Sequence, residues 1–518
     1  MAAPHAIRLG KPGSAIATVI ASTVEFGSRR TLIVFGIMLA SLLGRIDGTI
    51  VNVALPTIQG NLGASYDEVT WIIIGYLMAN VVVIPMTPWL AMRFGRRNAF
   101  IAAIVGFTLM SLLCATSTSI SELVIFRVLQ GAFAGGIDST ANTVLSSTFP
   151  PAKLGLAQSI YSLSAAAAPP IGLILGGLLT DNLSWQWCFL INVPLGSAAA
   201  IILFFMLRNP ATHATAARPP FDTVGVALLA VGPSLLVYGL SEGDRFDWFN
   251  DPSIVMAFVF GVLTTAAFAL WELKGTRTPI VDLRIFRFRR VVVGATLWLG
   301  TAFIYLSSMV FLPQFAQEIL GYTPTQSGVL VLMRSIPTAL LTPVAASLAS
   351  SGRINIRWLI ASGYAVLAVA TYWQSQMMTP GTDFNALLAP LMIAGIGNAF
   401  TFSPLFVAML GGVPGTERPK AAAIASVTIQ LGGALATSVL ISSLHVRSSF
   451  HQSVLAANAT LAHSGVAEFI HRVGAPALNA MLEMQARSFA YADVAFVIAC
   501  VAAIMIPVAF FLGKPQTT

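Results

Sequence analysis

Apolar runs long enough to cross a bilayer recur along this 518-residue chain, from residue 31 to residue 512. About 20 apolar residues in a helix span the roughly 30 Å hydrocarbon layer, where no water satisfies exposed peptide groups. Such segments therefore form helices that satisfy their own backbone and pack side by side. Composition agrees: 56% of residues are hydrophobic and 9% are charged, against about 25% charged in soluble proteins. The sequence is read as an all-α membrane protein.

Fourteen spans are expected, at 31–59, 68–91, 99–118, 122–147, 154–180, 186–207, 222–241, 253–272, 291–315, 324–349, 356–377, 384–411, 419–445 and 489–512. With the N-terminus inside, 21 of the 28 Lys and Arg residues fall in cytoplasmic segments. The outer loops hold only Arg245, Arg447, Arg472 and Arg487. Basic loops are retained on the cytoplasmic side, so both termini are placed there. The net charge of +8 lies in these short loops rather than along one face with interleaved aromatics, which argues against nucleic acid as a partner. Cys114, Cys188 and Cys500 lie within apolar segments and offer neither a disulfide framework nor metal-ligand spacing. The first 30 residues are polar and weakly basic, and no cleaved signal peptide is expected.

The spans group as six, two and six. Residues 1–30 read as a cytoplasmic tail, 31–208 as a first six-helix bundle, and 209–290 as a linker with two extra transmembrane helices. Residues 291–512 read as a second six-helix bundle that includes an extracytoplasmic loop at 446–488, and 513–518 as a C-terminal tail. WLAMRFGRRNAFI after the second span and SLASSGRINIRWLI after the tenth form a weak internal repeat. Parallel repeats of this kind belong to transporters with a central site between halves. The loop 446–488 is mildly amphipathic and carries His451, His463 and His471. It reads as an interfacial helical hairpin with solvated histidines, or alternatively as a docking surface or pH-sensitive lid.

The chain has no GxxxxGK[ST] or HExxH, and its one GxSxG match, at 239–243, closes an apolar span rather than a strand-to-helix turn, so neither an ATPase nor a hydrolase is expected, and no cofactor is implied. An ion gradient is the natural driving force.

DGTIVNVALPTIQ at 47–59, RFGRR at 93–97, RVLQG at 127–131, IGLILGG at 171–177 and WQWCFLINVPLG at 185–196 resemble the major facilitator superfamily. With fourteen spans, the resemblance is to its drug–proton antiporter branch of the EmrB/QacA type. It covers nearly the whole chain and is looser in TERPKAAAIASVTIQLGG of the second half. The resemblance implies alternating access by two six-helix bundles, driven by the proton gradient and exporting hydrophobic or amphipathic small molecules. In double-membraned bacteria it also implies a periplasmic adaptor and an outer-membrane channel as partners. Arg93, Gly95, Arg96 and Arg97 match the family's inter-helix clamp, although Met92 stands where an aspartate is often found. Positive-inside anchoring explains these arginines equally well. The family's antiporter motif has a Gly-Pro pair where this chain has Gly172-Leu173, with Pro169 and Pro170 just upstream. Gly172, Gly176 and Gly177 form a small-residue strip for close helix approach, and the prolines favour a kink; the segment serves packing or gating.

Ionisable residues inside a membrane usually face a cavity or a partner. Arg45 and Asp47 are about 200° apart around one helix and cannot pair across a face. Arg45 shares its face with Ser41, Thr49 and Asn52, a stripe suited to lining water. Arg127 and Asp138 project from one face of the fourth span, about 16 Å apart. Counted at about 1.5 Å per residue, Arg45 and Asp138 match in depth to roughly 4 Å, and Asp47 and Arg127 to nearer 9 Å. Asp47 and Arg127 match family motif residues, whereas Arg45 and Asp138 both depart from its usual pattern. The expectation is a proton-responsive pair, Asp47 with Arg127, beside a compensating structural pair, Arg45 with Asp138; a purely structural Asp47 pair is the alternative.

Arg334 leaves the interior with three arginines against two aspartates. An excess of positive charge disfavours lipophilic cations and suits weakly acidic amphipathic or neutral compounds; alternatively, Arg334 satisfies helix-end carbonyls. Asn52, Tyr305, Asn398, Phe400 and Phe402 are the other expected cavity residues. Two further functions stay open: a transporter for one organic anion with Arg45 and Arg334 as ligands, and a non-transporting receptor or scaffold on the same fold.

Overall fold

The computed structural model describes residues 27–149, 168, 171–208, 220–276, 279–351, 353–411, 413–414, 417–459 and 464–512. Pro169, Pro170, His463, residues 1–26 and 513–518 of the expected tails and most of the fifth expected span lie outside the described residues; residues 27–30, expected in the tail, begin the first helix. Helices α1 (Gly27–Leu62), α2 (Tyr66–Phe94), α3 (Arg96–Thr116) and α4 (Ile120–Thr148) come first. They are followed by α5 (Ile171–Asn182) and α6 (Trp187–Met206). Next are α7 (Thr223–Glu242), α8 (Pro252–Leu270), α9 (Arg289–Glu318) and α10 (Pro324–Ser350). The chain continues through α11 (Ile356–Gln376), α12 (Phe384–Leu410), α13 (Arg418–Asn458), α14 (Ser464–Val473) and α15 (Ala475–Phe510).

Local chemistry sets the helix ends. Gly63 turns the chain at φ +62° after α1. Ser65 then caps α2 in a reciprocal box: its Oγ accepts from the Glu68 amide at 3.2 Å, and Glu68 Oε2 accepts from the Ser65 amide at 2.9 Å. Thr323 and Gln326 repeat that box at the start of α10. Gly95, at φ +87°, is the single residue between α2 and α3, a conformation that a side chain would strain.

Among the described residues, twelve helices are long and apolar enough to cross a membrane, against fourteen expected. For the fifth expected span only Ile171–Asn182 is described as an apolar helix. The eleventh is present as the 21-residue α11, whose Arg357 and Gln374–Gln376 make its ends polar. The loop expected at 446–488 is largely helix: α13 runs on to Asn458, α15 begins at Ala475, and α14 links them.

Two hydrophobic cores organise the helices. One joins residues of α1–α4 and α6, and the other joins residues of α9–α13 and α15. They interlock at their seam, where Val53, Val81 and Leu173 enter the second core and Val310, Ala434 and Ile441 enter the first. Helix α7 packs against α2 and α13 across that seam, with Trp71 Nε1 donating to Glu242 Oε1 at 2.9 Å.

Candidate functional site

Asp47 lies in the middle of α1 with no solvent exposure. Its Oδ2 accepts from Arg127 Nη1 at 2.5 Å, and its Oδ1 accepts from Asn192 Nδ2 at 2.8 Å and Gln130 Nε2 at 3.1 Å. Arg127, 1% exposed, also donates to Gln130 Oε1 at 2.7 Å and to the Ile72 carbonyl at 3.2 Å. Its guanidinium sits 4.2 Å from the centre of the Tyr76 ring, whose hydroxyl donates to the Gly44 carbonyl at 3.1 Å. Asn192 donates in turn to Ser111 Oγ at 2.9 Å, and Ser111 to the Phe189 carbonyl. Helices α1, α4 and α6 thus meet on one carboxylate, and α2 and α3 join the network through Arg127 and Asn192. A dry ion pair tolerates burial only when its remaining lone pairs and protons are matched in this way. Protonating Asp47 would remove the charge that holds Arg127.

The second pair differs in kind. Arg45 Nε lies 3.3 Å from Asp138 Oδ1, with side chains 24% and 38% exposed, and Arg45 Nε also donates to Ser41 Oγ at 3.3 Å. A partly solvated pair contributes about 1 kcal/mol or less. Arg45→Gln is therefore expected to leave thermal stability within about 1 kcal/mol of wild type in detergent, measured by unfolding at constant lipid content.

At the arginine-rich end, Arg97 Nη2 donates to the Phe204 carbonyl at 2.5 Å, and Arg29 Nη2 to the Met206 carbonyl at 2.7 Å. Both satisfy carbonyls left over at the C-terminus of α6. Gly95 is buried in the turn between α2 and α3, Arg96 is half-buried and Arg93 is exposed.

At the opposite end the two cores are clasped together. A Cβ on Gly172 would meet Thr49 Oγ1 at 2.2 Å, and one on Gly176 would meet the Ile50 carbonyl at 2.5 Å, so α5 lies directly on α1. A Cβ on Gly177 would come within 2.5 Å of Thr325 Cα on α10, and one on Gly328 within 2.6 Å of the Leu173 carbonyl. Asp181 Oδ2 accepts from the Thr325 amide at 2.8 Å, and Gln317 Nε2 donates to the Val53 carbonyl at 3.0 Å. Overpacking such a contact costs about 1–3 kcal/mol, equivalent to a 5- to 150-fold shift in a conformational balance. Gly177→Leu is expected to part α5 from α10. Spin labels at Asn61 and Asn385, both at this end and exposed, should report a longer-distance population that becomes the majority.

The other expected cavity residues divide. Tyr305 and Trp298 on α9 pack edge-on against Phe402, at 5.1 and 5.4 Å between ring centres. Phe400 is two residues away on α12, about 200° around the helix, at the face where α11 approaches closely. Arg334 and Asn398 are fully buried, and neither side chain has a hydrogen-bond partner; Arg334 reaches no helix-end carbonyl. Asn52 is 3% exposed with its Oδ1 unpartnered. His451 Nε2 and Arg447 Nε both lie against Asp493 Oδ2, at 2.7 and 2.6 Å, while His471 sits in the last turn of α14.

Sequence reasoning missed Gln130, Asn192 and Ser111. Gln130 and Asn192 lie within RVLQG and INVPLG, where a lone amide in an apolar run was the available signal. It also missed His445, which stands 3.8 Å from Asp67 and 3.7 Å from Asp244 between α13, α2 and the end of α7.

Comparison with known proteins places this arrangement. The chain is 34% identical over 429 residues to the multidrug export protein EmrB of Escherichia coli (strain K12), covering 83% of each chain. It is 32% identical over 434 residues to the fatty acid resistance protein FarB of Neisseria gonorrhoeae, covering 84% of each. A crystal structure of a bacterial homologue of the human lysosomal transporter Spinster superposes with a TM-score of 0.65 at 15% identity, over 94% of this chain and 97% of that one. The sequence model of the Major Facilitator Superfamily matches residues 37–437, and the chain belongs to that superfamily.

Proposed function

We propose that this protein exports hydrophobic or amphipathic small molecules across the membrane in exchange for protons, by alternating access. The observation that carries the proposal is the buried carboxylate whose hydrogen-bond network joins five helices. Asp47 and Arg127 hold each other at 2.5 Å, and protonation is the simplest event that separates them. The relatives named as a multidrug export protein and a fatty acid resistance protein support small apolar molecules as the cargo.

In this reading, residues 31–208 and 291–512 are two six-helix bundles, and residues 209–290 add two helices to make fourteen spans. Both termini lie in the cytoplasm of a bacterial inner membrane, as the basic loops favour. The clasp formed by α1, α5, α9 and α10 is then on the outer side, so the described conformation is closed outward. Gly172, Gly176 and Gly177 serve that closure, while Arg93, Gly95, Arg96 and Arg97 fix the inner ends of α2, α3 and α6. The proton gradient replaces any cofactor. A periplasmic adaptor and an outer-membrane channel complete the export route.

The test uses the purified chain in liposomes loaded with a pH-sensitive dye and a panel of cationic, neutral and anionic compounds. Export by exchange predicts that some members move protons on addition, and that an uncoupler abolishes the response. Substrate flux without any proton movement would contradict it.

A further inference from the structure

Arg334 is a buried charge that the Asp47 network leaves unused. It lies ten residues into α10, about 15 Å along the helix. Its side-chain Nε, Nη1 and Nη2 are all shielded from solvent, and none has a hydrogen-bond partner. Asp47 is engaged with Arg127, Asp138 with Arg45, and Glu318 with the Tyr491 hydroxyl at 3.0 Å; Glu272, buried with both oxygens unpartnered, lies just past the end of α8 beside Asp222 and not against Arg334. Leaving a guanidinium dry and unpaired costs several kcal/mol. A chain that gives Arg127 three acceptors and Arg334 none leaves the second cation's partner to come from outside.

The surroundings define that partner. Helices α10 and α12 touch at this level: a Cβ on Gly395 would lie 2.1 Å from the Arg334 carbonyl, and Thr338 Oγ1 donates to the Gly395 carbonyl at 2.9 Å. One turn on, Asn398 is fully buried with both amide atoms unpartnered. A turn further, Phe402 packs against Tyr305 and Trp298. The indole Nε1 of Trp298 is also buried without an acceptor. Tyr305 and Arg334 are close enough to interact electrostatically. One cation and two neutral donors thus stand buried and unmatched beside three aromatic rings, contributed by α9, α10 and α12.

We propose that Arg334 and Asn398, with Trp298, Tyr305 and Phe402 beside them, form a site for an organic monoanion: a carboxylate head group on an apolar body. A guanidinium fork matches the two oxygens of a carboxylate, and the Asn398 amide adds a third donor. The aromatic rings take the body. This head-group site is in the half opposite Asp47, so anion and proton have separate seats. The assignment rests on the export reading for its biological use, but not for its test.

The test is equilibrium binding to the full chain in nanodiscs, with no gradient, of three probes that share one ring system: 1-naphthylacetate, 1-naphthylacetamide and 1-naphthylmethylammonium. A hydrogen bond to a charged group contributes about 1.5–3 kcal/mol, which corresponds to about 10- to 150-fold in affinity. Wild type is expected to bind the carboxylate tighter than the amide by that factor, and the ammonium weakest. Arg334→Gln should bring carboxylate affinity down to that of the amide, and Arg334→Lys should keep part of the preference. Should Arg334→Gln fail to fold, Asn398→Ala takes its place and should reduce the preference several-fold. Equal affinities for carboxylate and amide in wild type would overturn the assignment without any variant. So would an Arg334→Gln chain that keeps the preference, or that loses affinity for all three probes by one factor. Intact anion preference with no transport of any probe in liposomes would sink the export reading and leave the site standing.

Discussion

Replacing Arg127 by alanine is expected to lower the stability of the folded chain by about 3–5 kcal/mol, the usual effect of stranding one partner of a buried ion pair. Asp47 Oδ2 loses its donor at 2.5 Å, Gln130 Oε1 loses one at 2.7 Å and the Ile72 carbonyl loses one at 3.2 Å. No water is at hand to replace them, since both charged side chains are at most 2% exposed. The matched double change Asp47→Leu with Arg127→Leu should recover most of that loss, because an apolar pair leaves no unmatched charge. Thermal unfolding of wild type, Asp47→Leu, Arg127→Leu and the double variant in one detergent closes the cycle and isolates the pair's coupling. Additive losses would show that the two residues do not act as a unit.

Asp47→Asn is expected to uncouple transport while leaving the chain folded. The amide oxygen can still accept from Arg127, while both former Oδ1 donors, Gln130 and Asn192, face the new amide nitrogen; the unpartnered Oδ1 of Asn192 can accept from it once that amide flips. The variant cannot take up a proton, so the event proposed to release Arg127 no longer occurs. Accumulation driven by a pH gradient across a liposome membrane should fall to the level of protein-free vesicles. Exchange of labelled for unlabelled substrate, which needs no net proton movement, should persist.

The pairings of the four charges in the first core were suggested by α-helical geometry and sharpened by the family motif, which Asp47 and Arg127 match. Two residues on one helix at 200° cannot meet, and depth matching across antiparallel spans leaves few partners; the contacts at 2.5 and 3.3 Å are between those same residues. The glycine strip was visible as small residues at helical spacing, but not the partners it presses on. That Gly172 and Gly176 face α1 while Gly177 faces Thr325 depends on how α5 leans between two helices, which no local pattern encodes. Gln130 and Asn192 were illegible for a related reason. A single amide in an apolar run has no period, and its meaning comes only from the carboxylate that a distant helix brings to it. The span count rested on hydropathy and on the alternation of basic loops, and α11, with Arg357 at one end and Gln374 and Gln376 at the other, shows how polar ends blur the first of those signals.

The central claim is that Asp47 takes up a proton in competition with Arg127. It is tested most directly by adding substrate to the purified chain in weakly buffered detergent and following a pH indicator. The account predicts that wild type exchanges protons with the medium on binding and that Asp47→Asn exchanges none, at equal substrate occupancy. Proton exchange by Asp47→Asn equal to that of wild type would contradict it.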